Sequence, residues 1–296
     1  MAEFTFIKNP ISGRWTILAP KRAKRPDVAN GSEPVCPFCP GREKDEEEVF
    51  RIPKARPTDP GWKVRVVKNK YPFAPIHEVI IHSPDHHKNF DELAHEQNEL
   101  IFKTFVHRYN EHMHKGQVVI FHNHGTEAGE SLPHPHTQLA VLPEKINLQT
   151  SRLETGIKGL TKREMYETSD FHIFCPETSM WPDEVWIAPK KQGRVFGEIT
   201  EEEISDLSMI LKRLIQIFEV RHRDEFPFNL QIYSGGDFYL RIVPRLKRLG
   251  GFELSTEVFV NTQKPGETFE FIKKHFKNPD TEKIRKEHLA EYHKAV

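Results

Sequence analysis

Residues 125–143 read GTEAGESLPHPHTQLAVLP and follow QVVIF, an apolar run with the look of a buried strand. If a second strand begins at His134, then His134, His136 and Gln138 share one face, because strand side chains alternate with period two. Three polar groups on an otherwise apolar strand need partners. The loop before them offers Gly129 and Ser131, whose backbone N–H groups and hydroxyl suit an anion. Phosphate chemistry is the first expectation. Cys36-Pro-Phe-Cys39 is a second candidate, half of a tetrahedral zinc site. A redox dithiol would follow a strand and open a helix, whereas prolines and Gly41 surround this pair. His86 stands at an element boundary, where a ligand can be fixed, but its position alone leaves its role undecided. Arg22 and Arg25, in APKRAKRP, suit bidentate phosphate recognition; a solvated basic loop is the plainer reading of that stretch.

The surrounding patterns say what must position these groups. Residues 4–8 and 14–18 read as two short strands around a turn, and 42–62 as a charged link. KVRVVKN and EVIIHS read as strands, and residues 91–114 as a helix with Leu93, Leu100, Ile101, Phe105 and Tyr109 on its apolar side. His107, His112 and His114, on or near that helix, are expected at the surface. The second half repeats the order. Residues 183–189 (DEVWIAP) echo 77–83 (HEVIIHS), a helix over 200–221 follows, then FNLQIYS, and 237–244 replaces the His-Pro-His strand. Internal duplication over roughly 65 residues accounts for this. The second copy lacks the histidine pair, so only the first is equipped for chemistry. Residues 150–169 read as a polar connector with room for a short helix, the segment from 268 as ending in helix, and Cys175 as a small buried hydrophobe.

At 296 residues, with 43 Lys+Arg against 43 Asp+Glu, no general nucleic-acid surface is expected. No apolar run approaches the roughly 20 residues of a membrane span. The opening MAEFTFIKNP lacks a signal-peptide pattern and the three cysteines make no disulfide framework. The chain reads as cytoplasmic.

Taken together, NPISGRWTILAPKRAKRP, CPFCPG, SPDHH, FHNHGTEAGESLPHPHTQ and VPRLKRLGGFE resemble, in order and spacing, the galactose-1-phosphate uridylyltransferase branch of the histidine-triad superfamily. That branch includes ADP-sugar phosphorylases and adenylyltransferases. The resemblance implies an α+β fold of two histidine-triad-like halves with antiparallel sheets, divided at 1–150 and 151–296 and paired as a homodimer. It implies a transferase of carbohydrate (galactose) metabolism that moves a nucleoside monophosphate between a nucleoside diphosphate sugar and a sugar 1-phosphate or phosphate. By position, His136 matches the nucleophile and Gln138 the amide that donates to a phosphoryl oxygen. Ser131, Arg22, Arg25, Asn69 and Asn123 match phosphate- and nucleotide-binding residues, and Glu253 matches a residue that recognises sugar hydroxyls. Cys36, Cys39, His86 and His134 match the ligands of a structural zinc ion.

Two departures stand out. Glu130 replaces a small residue in the phosphate loop, where a carboxylate repels a diphosphate unless it is paired or turned away. Lys70 replaces an acidic residue at the nucleotide site. They support a second reading, a nucleotide-binding or weakly hydrolytic protein that retains the pocket without efficient transfer. The loop ESLPHPH and the segment PRLKRLGGFE lean toward the ADP-sugar side of the family.

Overall fold

The computed structural model describes residues 4–25, 35–54, 61–148, 150–222, 226–278 and 280–286. Strands β1 (Thr5–Lys8) and β2 (Trp15–Leu18) form a separate antiparallel ribbon. The other strands make one sheet: β3 (Glu48–Ile52), β4 (Val64–Lys68), β5 (Ile76–Ile81), β6 (Gln117–His124), β7 (His136–Leu142), β8 (Tyr166–Glu167), β9 (Phe171–Phe174), β10 (Val185–Pro189), β11 (Phe228–Tyr233) and β12 (Tyr239–Pro244). Their order is β3-β4-β5-β7-β6-β11-β12-β10-β9-β8, antiparallel throughout. The run β5-β7-β6 is mirrored by β10-β12-β11 about the central β6–β11 pair. Strands of the two halves therefore share one continuous sheet, with the order a duplicated unit would produce.

Helices α1 (His95–His112) and α3 (Glu201–His222) pack together over one face. Alternation decides what each strand contributes. Leu139 and Val141 of β7, Ile120 of β6, Leu230 of β11 and Ile242 of β12 enter the main core beneath these helices. Glu78 of β5 ties α1 to the sheet, taking both Arg108 Nε and Nη2 at 2.9 and 2.7 Å and lying 2.9 Å from His112 Nε2. His112 is thereby buried, contrary to the surface expectation; His107 and His114 are exposed.

The opposite face is covered unevenly. The β1–β2 ribbon lays Phe6, Trp15 and Ile17 over Ala140, Leu142 and Phe121. In the second half, the short helix α2 (Leu153–Ile157) and the residues after it press Leu153, Ile157, Leu160 and Met165 onto Trp186 and Tyr239. The stretch expected to be a polar connector is thus a plug over the second-half sheet. Two further helices, α4 (Gly251–Thr256) and α5 (Pro265–His275), lie beyond β12.

The charged link at 42–62 also hides a strand, β3. Its Glu48 receives Arg51 Nε at 2.5 Å and Arg65 Nε at 2.7 Å, all three side chains being buried. Buried charges survive only when paired in this way.

Candidate active site

The first-half face left open between the ribbon and the Cys36–Cys39 knuckle is a pocket of about 440 Å³. Arg25, Asn69, Ser131, His136 and Gln138 line it, with Phe38, Lys70 and Tyr71. β7 begins at His136, not at His134, so alternation carries only His136 and Gln138 into the pocket. His134, before the strand, turns to the cysteines instead. It still serves the site, because its carbonyl accepts His136 Nδ1–H at 2.9 Å. That bond leaves Nε2 as the ring nitrogen with the lone pair. Burial, assisted only weakly by Arg25, lowers the His136 pKa from its ordinary value even against that hydrogen bond. The imidazole is therefore neutral at neutral pH.

The loop between β6 and β7 is held from both ends. Gly125 adopts φ 80°, and a Cβ there would meet Pro227 Cβ at 2.9 Å, so the position favours glycine. Its N–H donates to Glu130 Oε2 at 2.8 Å, and the Glu130 N–H returns a bond to the Gly125 carbonyl at 3.2 Å. Glu130 thus closes its own loop. Asn229 of β11 donates to the Ala128 carbonyl and to Asn123 Oδ1, at 2.9 and 2.8 Å. The β6–β7 register, continued one residue past His122↔Thr137, brings Asn123 beside His136.

Arg22 lies next to this pocket, with Nη1 donating to the Tyr71 carbonyl at 2.5 Å and its guanidinium 5.0 Å from the Phe73 ring. Lys70 lines the mouth and pairs with Glu46 at 2.9 Å. Glu253 is not brought to this pocket. In the first turn of α4 it accepts from Lys247 Nζ at 2.9 Å and from Gly250 N at 3.1 Å, and the loop before α4 is tied by Arg248 to Glu127.

Cys36, Cys39, His86 and His134 offer ligand atoms within 4.8 Å of one another. Cys39 Sγ is 3.1 Å from His86 Nδ1, and His134 Nδ1 is 3.7 and 3.8 Å from the two sulfurs. A tetrahedral ion with Zn–S and Zn–N bonds of ordinary length has ligand–ligand edges of about 3.6 Å, so this donor set fits a metal ion. His134 Nε2–H donates to the Ser83 carbonyl at 2.8 Å, which leaves Nδ1 as the ligand atom. Burial pushes the Cys36 thiol up to about 11, an environment that opposes a bare thiolate. Phe38, inside the knuckle, meets both His134 and His136 edge-on, at 6.1 and 5.4 Å.

Sequence reading missed three histidines around these groups. His77 Nε2 is 3.0 Å from Gln138 Oε1; on the core side, His82 Nε2 is 2.8 Å from Thr137 Oγ1, and His122 Nδ1–H donates to the His136 carbonyl at 2.8 Å. Burial holds His77 at about 4 and His122 at about 3. The signal was a histidine at each end of one apolar run, 77–82, and another within the run that ends at 122, but the target of each depends on cross-strand register.

A family model described as galactose-1-phosphate uridyl transferase, N-terminal domain, matches residues 75–142, the span that carries β5 to β7. An ADP-glucose phosphorylase of Arabidopsis thaliana is 29% identical over 312 residues, covering 86% of this chain and 88% of that protein. A galactose-1-phosphate uridylyltransferase of Thermotoga maritima is 25% identical over 302 residues, covering 88% and 94%. The crystal structure of an Arabidopsis ADP-glucose phosphorylase with bound ADP-glucose superposes with a TM-score of 0.70 at 25% identity, over 92% of this chain and 99% of that one. The chain is thus similar over most of its length to galactose-1-phosphate uridylyltransferases and to an ADP-glucose phosphorylase. Like these relatives it is a nucleotidyltransferase, built on their histidine-triad-type fold. Among the described residues no helix is long and apolar enough to cross a membrane.

Proposed function

We propose that the enzyme transfers a nucleoside monophosphate from a nucleoside diphosphate sugar through a covalent nucleotidyl-His136 intermediate. The observation that carries this reading is the bond from His136 Nδ1–H to the His134 carbonyl, made by a histidine that lines the pocket. His136 Nε2 attacks the α-phosphorus, forming a P–N bond while the bond from phosphorus to the bridging oxygen breaks, and sugar 1-phosphate leaves. A phosphate oxygen of the acceptor then attacks the same phosphorus and the P–N bond breaks. Gln138, Ser131 and Arg25 supply donors and positive charge where negative charge develops. Arg22, Asn69 and Asn123 complete the phosphate and nucleotide contacts.

An adenine nucleotide is the favoured donor. The likeness to the Arabidopsis ADP-glucose phosphorylase exceeds that to the Thermotoga uridylyltransferase in identity, and Lys70, engaged with Glu46, departs from the uridylyl pattern. ADP-glucose, with inorganic phosphate or a sugar 1-phosphate as acceptor, is the first substrate pair to test. Zinc in the Cys36–Cys39–His86–His134 cluster holds the knuckle and His134 in place and takes no part in bond making. The chemistry resides in the 1–150 half, the 151–296 half serves as its duplicated, plugged partner, and the enzyme works as a homodimer in which Glu253 meets the sugar.

The test is initial-rate kinetics with ADP-glucose and phosphate, each varied against the other. Parallel double-reciprocal lines, and loss of about 10⁴-fold or more in His136→Ala, are expected. Intersecting lines with an active His136→Ala protein would overturn the covalent route. Nucleotide binding without turnover would favour the binding-protein reading.

A further inference from the structure

His77 sits on β5 opposite Ala140 of β7, on the pocket side of the sheet, and is 5% exposed. Its ring packs at 4.2 Å from Phe73, and the Phe73 backbone N–H points at Nδ1 from 3.4 Å. A backbone N–H can only donate, so it assigns Nδ1 as the acceptor and Nε2 as the protonated nitrogen; the Asn69 amide nitrogen, also a donor, lies 3.2 Å from that Nε2, the two side by side before one acceptor. Nε2 lies 3.0 Å from Gln138 Oε1. A second donor converges on that oxygen. Asn69 Oδ1 is occupied by the Tyr71 N–H at 2.8 Å, which directs its amide nitrogen toward Gln138, and Nδ2 reaches Oε1 at 3.4 Å.

A glutamine amide has two orientations of nearly equal shape and opposite polarity. With two N–H donors behind it, the carbonyl end faces inward and the NH₂ end faces the pocket. The reversed amide would set N–H groups against each other and aim a carbonyl oxygen at a phosphate. We propose that His77 is a positioning residue that locks the Gln138 amide in the donor-outward orientation, ready to receive a phosphoryl oxygen. This rests on the reading that Gln138 assists nucleotidyl transfer. Burial, and secondarily the Arg22 and Arg25 charges, lower the His77 pKa to about 4, so the ring stays in its single-proton form at neutral pH.

Three variants and one spectrum test it. His77→Phe keeps a ring but removes the donor; His77→Gln returns an N–H near the Nε2 position. His77→Phe is expected to lower kcat with ADP-glucose and phosphate by about a hundredfold, with KM within about threefold and the melting temperature nearly unchanged, while His77→Gln recovers most of the rate. In a Gln138→Ala background, His77→Phe should cost nothing further, because its effect passes through the missing amide. Losses that multiply, or an unimpaired His77→Phe enzyme, would overturn the proposal. Histidine ¹⁵N shifts of the wild-type protein provide a readout independent of turnover and of whether His77→Phe folds. A protonated Nε2 and bare Nδ1 on His77 are expected; the opposite tautomer would overturn the proposal. A wild-type protein that carries this tautomer yet transfers no nucleotide would instead refute the transferase reading alone.

Discussion

The carbonyl oxygen of His134 accepts Nδ1–H of His136 at 2.9 Å, while the ring of the same His134 faces Cys36 and Cys39. One residue therefore belongs to the Cys–His cluster through its side chain and to the pocket through its backbone. The proline between the two histidines restricts φ and limits how far this geometry can relax. The strand starts immediately after, so His136 enters the pocket already committed to one tautomer.

The pH dependence follows from that tautomer and from burial. In the proposed mechanism the neutral ring is the nucleophile, and its folded pKa lies below the ordinary histidine value of 6.5. The rate of adduct formation from ADP-glucose should hold through neutral pH and fall only on the acid side of the ordinary histidine value, as pH drops through the lowered pKa. Stopped-flow or quench measurements across pH 5–8 check this. An acid limb centred above pH 7 would contradict it.

Glu130 closes its own loop by accepting from Gly125 N at 2.8 Å. On the proposed function, a carboxylate held that way is turned from the diphosphate. Glu130→Gln keeps an acceptor and should change the KM for ADP-glucose by less than about threefold, whereas Glu130→Ala should destabilise the fold by about 1 kcal/mol through loss of the cap on a half-buried N–H. A Glu130→Gln enzyme with a much lower KM would show that the carboxylate does repel substrate.

The four-ligand cluster predicts about one equivalent of zinc per chain. Cys36→Ala should lose the metal and lower the melting temperature by several degrees. Adduct formation should slow as well, since His134 anchors both sites. Elemental analysis with a thermal melt decides; full metal content in Cys36→Ala would exclude Cys36 as a ligand.

Much of the site was legible because motif and strand period coincide. His136, Gln138 and Ser131 follow from one continuous stretch, and the cysteine knuckle announces itself by proline and glycine. His77 was hidden because its partner Gln138 is 61 residues away and the pairing depends on register. β3 was hidden because Glu48, Arg51 and Arg65 pair their buried side chains, so an edge strand carries the composition of a loop. The plug over the second half was hidden for the opposite reason: Leu153, Ile157 and Leu160 are spaced among polar residues, and only the apolar face of Trp186 and Tyr239 explains their burial.

That plug makes its own prediction. A Cβ on Gly156 would lie 2.3 Å from Trp186 Cζ3. Gly156→Ala should therefore cost about 1–3 kcal/mol by overpacking, seen as a lower denaturation midpoint and an altered tryptophan emission. Unchanged stability would mean that α2 does not seat on Trp186.

Intact mass spectrometry of the purified protein, incubated separately with ADP-glucose and UDP-glucose, tests the covalent nucleotidyl-His136 intermediate most directly. An added mass of one adenosine monophosphate unit, absent in His136→Ala, is the expected result. An unmodified mass with both donors, under conditions where the nucleotide is shown to bind, would contradict it.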